Sequence, residues 1–205
     1  MCVNNQKATN IAMFMKKMLL SVSAAFSLLS AQAAVFQYSV TLDGPSEPTA
    51  SAGTGSGTVN YDDVLHTLEL QVTFSGLTNA GSGTTASHIH APTVAPGSGT
   101  AGVATTTPSF AGFPLGVTSG SFSNTLDLTQ ASSWNATFVG TNTLANAESR
   151  LAAAMEGGQA YWNIHSQQFG GGEIRGFLVP VPEPSTLALL GLGAGALVWR
   201  LRRKN

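Results

Sequence analysis

From Leu68 to Phe74 the chain alternates: Leu68, Leu70, Val72 and Phe74 share one parity, while Thr67, Glu69, Gln71 and Thr73 take the other. Side chains two apart on an extended strand share a face, so this is the pattern of a half-buried β-strand. Similar short runs lie at 35–42, 55–61, 87–90, 119–128, 160–166 and 173–179, separated by connections that carry Gly or Pro. Several short strands with turn signals between them predict an antiparallel sandwich or barrel. One segment departs from the pattern. Residues 145–156, ANAESRLAAAME, are Ala-rich and stopped by Gly157-Gly158, which predicts one short helix. Residues 93–116, with Pro96, Pro108 and Pro114, predict a long loop or irregular edge, and the glycine-rich 53–57 a flexible turn. The expected fold is all-β with one short helix.

Three triplets share one grammar: His88-Ile89-His90, Asn163-Ile164-His165 and Glu173-Ile174-Arg175. If each isoleucine faces the core, all six polar residues point to the opposite face and meet solvent together. Residues 167–172 suit a hairpin loop, which makes the second and third triplets antiparallel neighbours and brings His165 within reach of Glu173 or Arg175. Glu173 and Arg175 are expected to pair across or along the strand. Arg175 is also expected to fasten a loop or strand end by bidentate hydrogen bonds, with Asn163, Glu173 and Arg175 forming a structural polar cluster.

The ends of the chain read as signals. Met15-Lys16-Lys17 opens a short basic region, Met18 to Ser30 is an apolar run, and Ala31-Gln32-Ala33 is a small-x-small cleavage pattern. Together they predict a secretory signal peptide over 1–33, with translation starting near Met15. At the other end, Pro182-Glu183-Pro184 is followed by an uncharged stretch from Thr186 to Trp199 and then by Arg200, Arg202, Arg203 and Lys204. At about 1.5 Å per residue this stretch reaches roughly 21 Å, short of the ~30 Å hydrocarbon core of a bilayer. The basic tail should stay cytoplasmic and leave the preceding chain outside. Motif, hydrophobic helix and tail, over 181–205, resemble the PEP-CTERM sorting signal of Gram-negative bacteria. The resemblance implies recognition by an exosortase-type enzyme, anchoring in the inner membrane before processing, and then a cell-surface or extracellular location.

Removing both signals changes the charge. Between them, at 34–182, nine carboxylates face only Arg150 and Arg175, a formal charge of −7 against −1 for the whole chain. Such a surface repels phosphate backbones, which excludes nucleic acid as a partner and favours cations. Cys2, the single cysteine, falls in the signal region, so no disulfide, thiol nucleophile or thiolate metal ligand is expected in the working domain. The sequence has no Gly-x-Ser-x-Gly elbow, phosphate loop or His-Glu-x-x-His motif. Tyr161, Trp134 and Trp162 would stack on sugar rings if exposed, although the parity of Trp162 places it in the core.

The segments SHIHAP, YWNIHS and GGEIRG, with LDGPSEPTASAGTGSG and LELQVTFSGL, resemble the CHRD domain, named from chordin and found in bacterial secreted proteins. The resemblance covers roughly 35–178, nearly the whole of the expected β domain at 34–180. It aligns the family's histidine pair with His88 and His90, its Asn-x-His with Asn163 and His165, and its acidic-proline step with Glu47-Pro48. It implies an immunoglobulin-like β-sandwich or barrel with an extracellular role, and no agreed catalytic activity.

Two function classes follow. In the first, the protein is a non-enzymatic cell-surface or matrix protein whose domain binds exopolysaccharide or protein partners. In the second, His88, His90 and His165 hold zinc or copper. His88 and His90 offer two imidazoles from one strand and His165 a third from another, a set that suits either metal and opens redox or hydrolytic chemistry. The fourth histidine, His66, shares the parity of Leu68 and Leu70 and is expected to cap the buried face of its strand.

Overall fold

The computed structural model describes residues 35–78 and 83–182. The expected signal peptide, and the apolar run and basic tail of the sorting segment, lie outside the described residues. The described chain is mostly β. Its strands are β1 (Val35–Asp43), β2 (Thr54–Asp62), β3 (Thr67–Ser75), β4 (Thr84–His90), β5 (Gly120–Asp127), β6 (Tyr161–Ser166), β7 (Ile174–Phe177) and β8 (Val179–Pro180). All pairings are antiparallel, in the order β4-β6-β7-β1-β2-β3-β5, with β8 beside β1. This is one antiparallel sheet curled into a half-barrel.

Alternation sets the curl's inner face. Val40, Leu42, Val59, Leu68, Leu70, Val72 and Phe74 are buried, while Glu69, Gln71 and Thr73 are part-buried or exposed. Each such apolar side chain removed from water contributes about 1.5–3 kcal/mol. The long connection from β4 to β5 is more than a loop. It crosses from one edge of the sheet to the other and supplies Phe110 and Phe113 to the core. Phe110 meets Trp162 of β6 at 5.7 Å and Phe122 of β5 at 5.7 Å, and Phe113 meets Phe74 of β3 at 5.5 Å. Aromatic rings at this separation attract beyond their burial, so the connection ties the two edges together.

The helix forms as its composition predicts, as α2 (Leu144–Glu156), capped where the Thr143 side chain accepts from the Asn146 amide at 3.2 Å. It buries Ala147, Leu151, Ala154 and Met155. A short 3-10 turn (Ala131–Ser133) and the four-residue α1 (Ala136–Val139) precede it, and neither is visible in the hydrophobic pattern.

Residues 53–57 are not a turn. Thr54 to Gly57 lie inside β2, paired along their length with both β1 and β3. A Cβ added at Gly57 would lie 2.2 Å from the Gln71 carbonyl oxygen, so glycine here lets neighbouring backbones approach closely.

Candidate metal centre

The hairpin β6–β7 pairs Ile164 with Ile174 and Asn163 with Arg175, while on its other side β6 pairs His88 with Asn163 and His90 with Tyr161. β6 is therefore paired on both sides, and all six of its residues are buried. The isoleucines face the core as expected. The opposite face does not meet solvent: His88, His90, Asn163, His165, Glu173 and Arg175 are all buried. Connections from three parts of the chain fold back over this face and bring backbone carbonyls to it, from Ser46, from Gly99 and Ala101, and from Gly170. A polar side in a strand pattern is thus covered by irregular chain.

Under that cover the three histidines meet. The ring centroids of His88 and His165 are 4.6 Å apart, those of His88 and His90 4.8 Å, and those of His90 and His165 5.9 Å. One nitrogen from each ring lies within 4.8 Å of the others. Points so placed lie within about 2.8 Å of a common centre, and ligand bonds of ~2.0–2.1 Å then require only a modest closing of the rings. A register shift between Thr84 and Ala86 sits just before the pair, next to His165 across the strand.

The outer nitrogens are engaged. His90 Nδ1 is 2.8 Å from the Ala101 carbonyl and His165 Nδ1 is 3.0 Å from the Gly170 carbonyl. A carbonyl only accepts, so each Nδ1 carries the proton and each Nε2 presents a lone pair. Those two Nε2 atoms are buried with no hydrogen-bond partner among the described residues, and neither ring nitrogen of His88 has one at full hydrogen-bond geometry, although the Pro108 backbone lies near enough to pull on the ring. Such unpartnered buried polar atoms are uncommon and costly. Burial first, then the neighbouring His165 and His90, pushes His88 down to about 3, against an opposing pull from the Pro108 backbone. Burial likewise pushes His90 down to about 4, with His165 and Arg175 adding to the effect and the Ala101 carbonyl opposing it, and lowers His165. The cluster is therefore neutral near pH 7, the form that binds metal.

Around the cluster, Tyr161 stacks on His90, with ring centroids 4.7 Å apart and planes 9° from parallel. The Arg175 guanidinium lies 4.9 Å from the Tyr161 ring centroid. Arg175 does not pair with Glu173. It forms an ion pair with Glu47 at 3.1 Å, donates to the Ser46 carbonyl, and donates to the Gly99 carbonyl at 3.1 Å. It clamps the β1–β2 and β4–β5 connections together. Glu173 is fastened elsewhere: its Oε1 accepts from the Ser51 hydroxyl and the Thr78 amide, both at 2.6 Å. Burial raises its pKa, but hydrogen bonds from Ser166, Ser51 and Thr78 outweigh that and hold it below the usual carboxylate range. Glu47 shows the opposite balance, burial outweighing Arg175 and Asn163 and raising its pKa. Glu47, Tyr161 and the carbonyls of Ala101 and Gly170 are the parts of this site that residue types alone leave unassigned. A signal for Glu47 was present, since a buried Arg in a domain with two cations needs an acid.

A family model, the CHRD domain, matches residues 36–178. The chain belongs to the CHRD family. The PEP-CTERM protein-sorting motif matches residues 180–204 and includes Pro182, Glu183 and Pro184. Comparisons with curated proteins and with solved structures return no match. A CHRD domain joined to this signal is an exported surface protein, sorted by an exosortase-type enzyme.

Two expectations need correction beside the buried polar face. His66 does not cap a buried face. It sits at positive φ in the β2–β3 turn, its side chain half-exposed, with Nδ1 3.0 Å from Glu148 of α2. Its place in the turn breaks the parity of the strand that follows. The aromatic side chains considered for sugar stacking, Trp134, Tyr161 and Trp162, are all buried and offer no exposed platform.

Proposed function

We propose that this exported protein presents a metal-binding CHRD domain at the cell surface, taking one transition-metal ion, zinc or copper, on His88, His90 and His165. The observation that carries the reading is the cluster's pattern of partners. Two rings are fixed by carbonyls at Nδ1 and leave their Nε2 atoms buried and unpartnered, and one nitrogen from each of the three rings converges on a common point. Ligating histidines characteristically donate their other ring nitrogen to such an acceptor, which sets tautomer and orientation. The role is binding rather than turnover, a reading supported by the burial of all three inward faces. Before processing the apolar sorting segment holds the protein at the inner membrane, and afterwards the domain faces envelope polymers or proteins. The test is metal content of the protein isolated after loading with zinc or copper. One ion per chain, lost in His88→Ala and His165→Ala, is expected. A folded wild-type protein that retains no metal overturns the proposal.

A further inference from the structure

We infer that the site selects monovalent copper, Cu(I), over divalent zinc, an inference that rests on the three-histidine reading above. The first reason is charge. Among the described residues the converging group is three imidazoles, with no carboxylate or thiolate in it. The nearby acid Glu47 is already paired with Arg175 at 3.1 Å, and that arginine lies over Tyr161, on which His90 stacks. The full charge of a bound ion therefore stays uncompensated in a buried place. The cost of burying an ion grows with the square of its charge, so a divalent ion costs about four times what a monovalent one does.

Coordination number points the same way. Zinc in closed protein sites is almost always four-coordinate. Here three donors converge, and their inward nitrogens are shut from solvent, so a fourth donor from water requires the covering connections to open. Cu(I) shares zinc's filled d shell but carries a single charge, and is satisfied by three nitrogens in a plane. The covering connections are themselves tied down, through Arg175 to Gly99 and through His90 to Ala101, which opposes that opening.

The full-length chain, purified in mild detergent and stripped of metal, is titrated without oxygen with Cu(I) against a chromophoric Cu(I) chelator. Zn(II) is titrated against a chromophoric zinc chelator, and Ag(I) serves as a redox-inert monovalent probe. One Cu(I) and one Ag(I) per chain are expected, each bound at least about 100-fold more tightly than Zn(II) and each lost in His88→Ala and His165→Ala. Zinc bound as tightly as Cu(I) overturns this inference and leaves the three-histidine reading standing. Binding of no ion overturns both. Should either alanine variant fail to fold, ring-nitrogen NMR of the wild-type chain with Ag(I) decides: movement of one nitrogen in each of His88, His90 and His165 supports the inference, and movement in fewer rings overturns it.

Discussion

Replacing Arg175 with methionine keeps much of the side chain's volume and removes its charge and all its donors. The ion pair with Glu47, the hydrogen bonds to the carbonyls of Ser46 and Gly99, and the cation–π contact with Tyr161 vanish. The side chains of Arg175 and Glu47 are only 7% and 12% exposed, so solvent does little to replace them. Breaking a buried pair from one side leaves the other charge uncompensated, at about 3–5 kcal/mol. For a domain of this size that is a fall of roughly 6–20 °C in Tm. The double variant Arg175→Met/Glu47→Gln removes the stranded charge as well and should recover at least half of the loss. Urea denaturation of wild type, both single variants and the double variant gives the coupling directly. If Arg175→Met unfolds within about 1 kcal/mol of wild type, the clamp between the two connections is not what holds the polar face closed.

Gly172 has φ +133°, and a Cβ there would lie 2.4 Å from Asn163 Nδ2 and 2.7 Å from Glu47 Oε1, so Gly172→Ala should cost about 2–3 kcal/mol by chemical denaturation. Gly97→Ala is the control, with φ +66° but open space around it, and should cost about 1 kcal/mol. The His66 pKa is raised, first by its hydrogen bond to Glu148 and then by that residue's charge. A raised pKa means the contact stabilises fully below pH ~6.5 and weakens as pH rises through the folded value. NMR titration should therefore place the His66 transition above 6.5 in wild type and return it toward 6.5 in Glu148→Gln; an unmoved transition contradicts the contact.

Strand positions were legible because alternation is a local property: the Leu68 to Phe74 register appears intact in β3. So was α2, whose alanines and glycine stop act within a few residues. The barrel-like curl was expected from the succession of short strands, but the tie across its edges was not legible, since Phe110 and Phe113 arrive from a connection with no periodicity. The three histidines were legible as a set, because their spacing places His88 and His90 on one strand and His165 on another. Their burial was not. It comes from carbonyls at Ala101 and Gly170, and backbone groups leave no trace in residue type. Residues 53–57 misled for a related reason: glycine signals a turn in isolation, whereas at Gly57 it serves contact with β3, set by tertiary pairing. His66 misled because one residue of turn geometry breaks the parity that assigned it to a strand face.

The central claim is that His88, His90 and His165 close on a single ion. X-ray absorption fine structure at the metal edge of the loaded wild-type protein tests it most directly. A shell of three imidazole nitrogens at about 2.0 Å is the expected result. A shell of oxygen donors without the imidazole ring signature would place the ion elsewhere on an acidic surface and contradict the account.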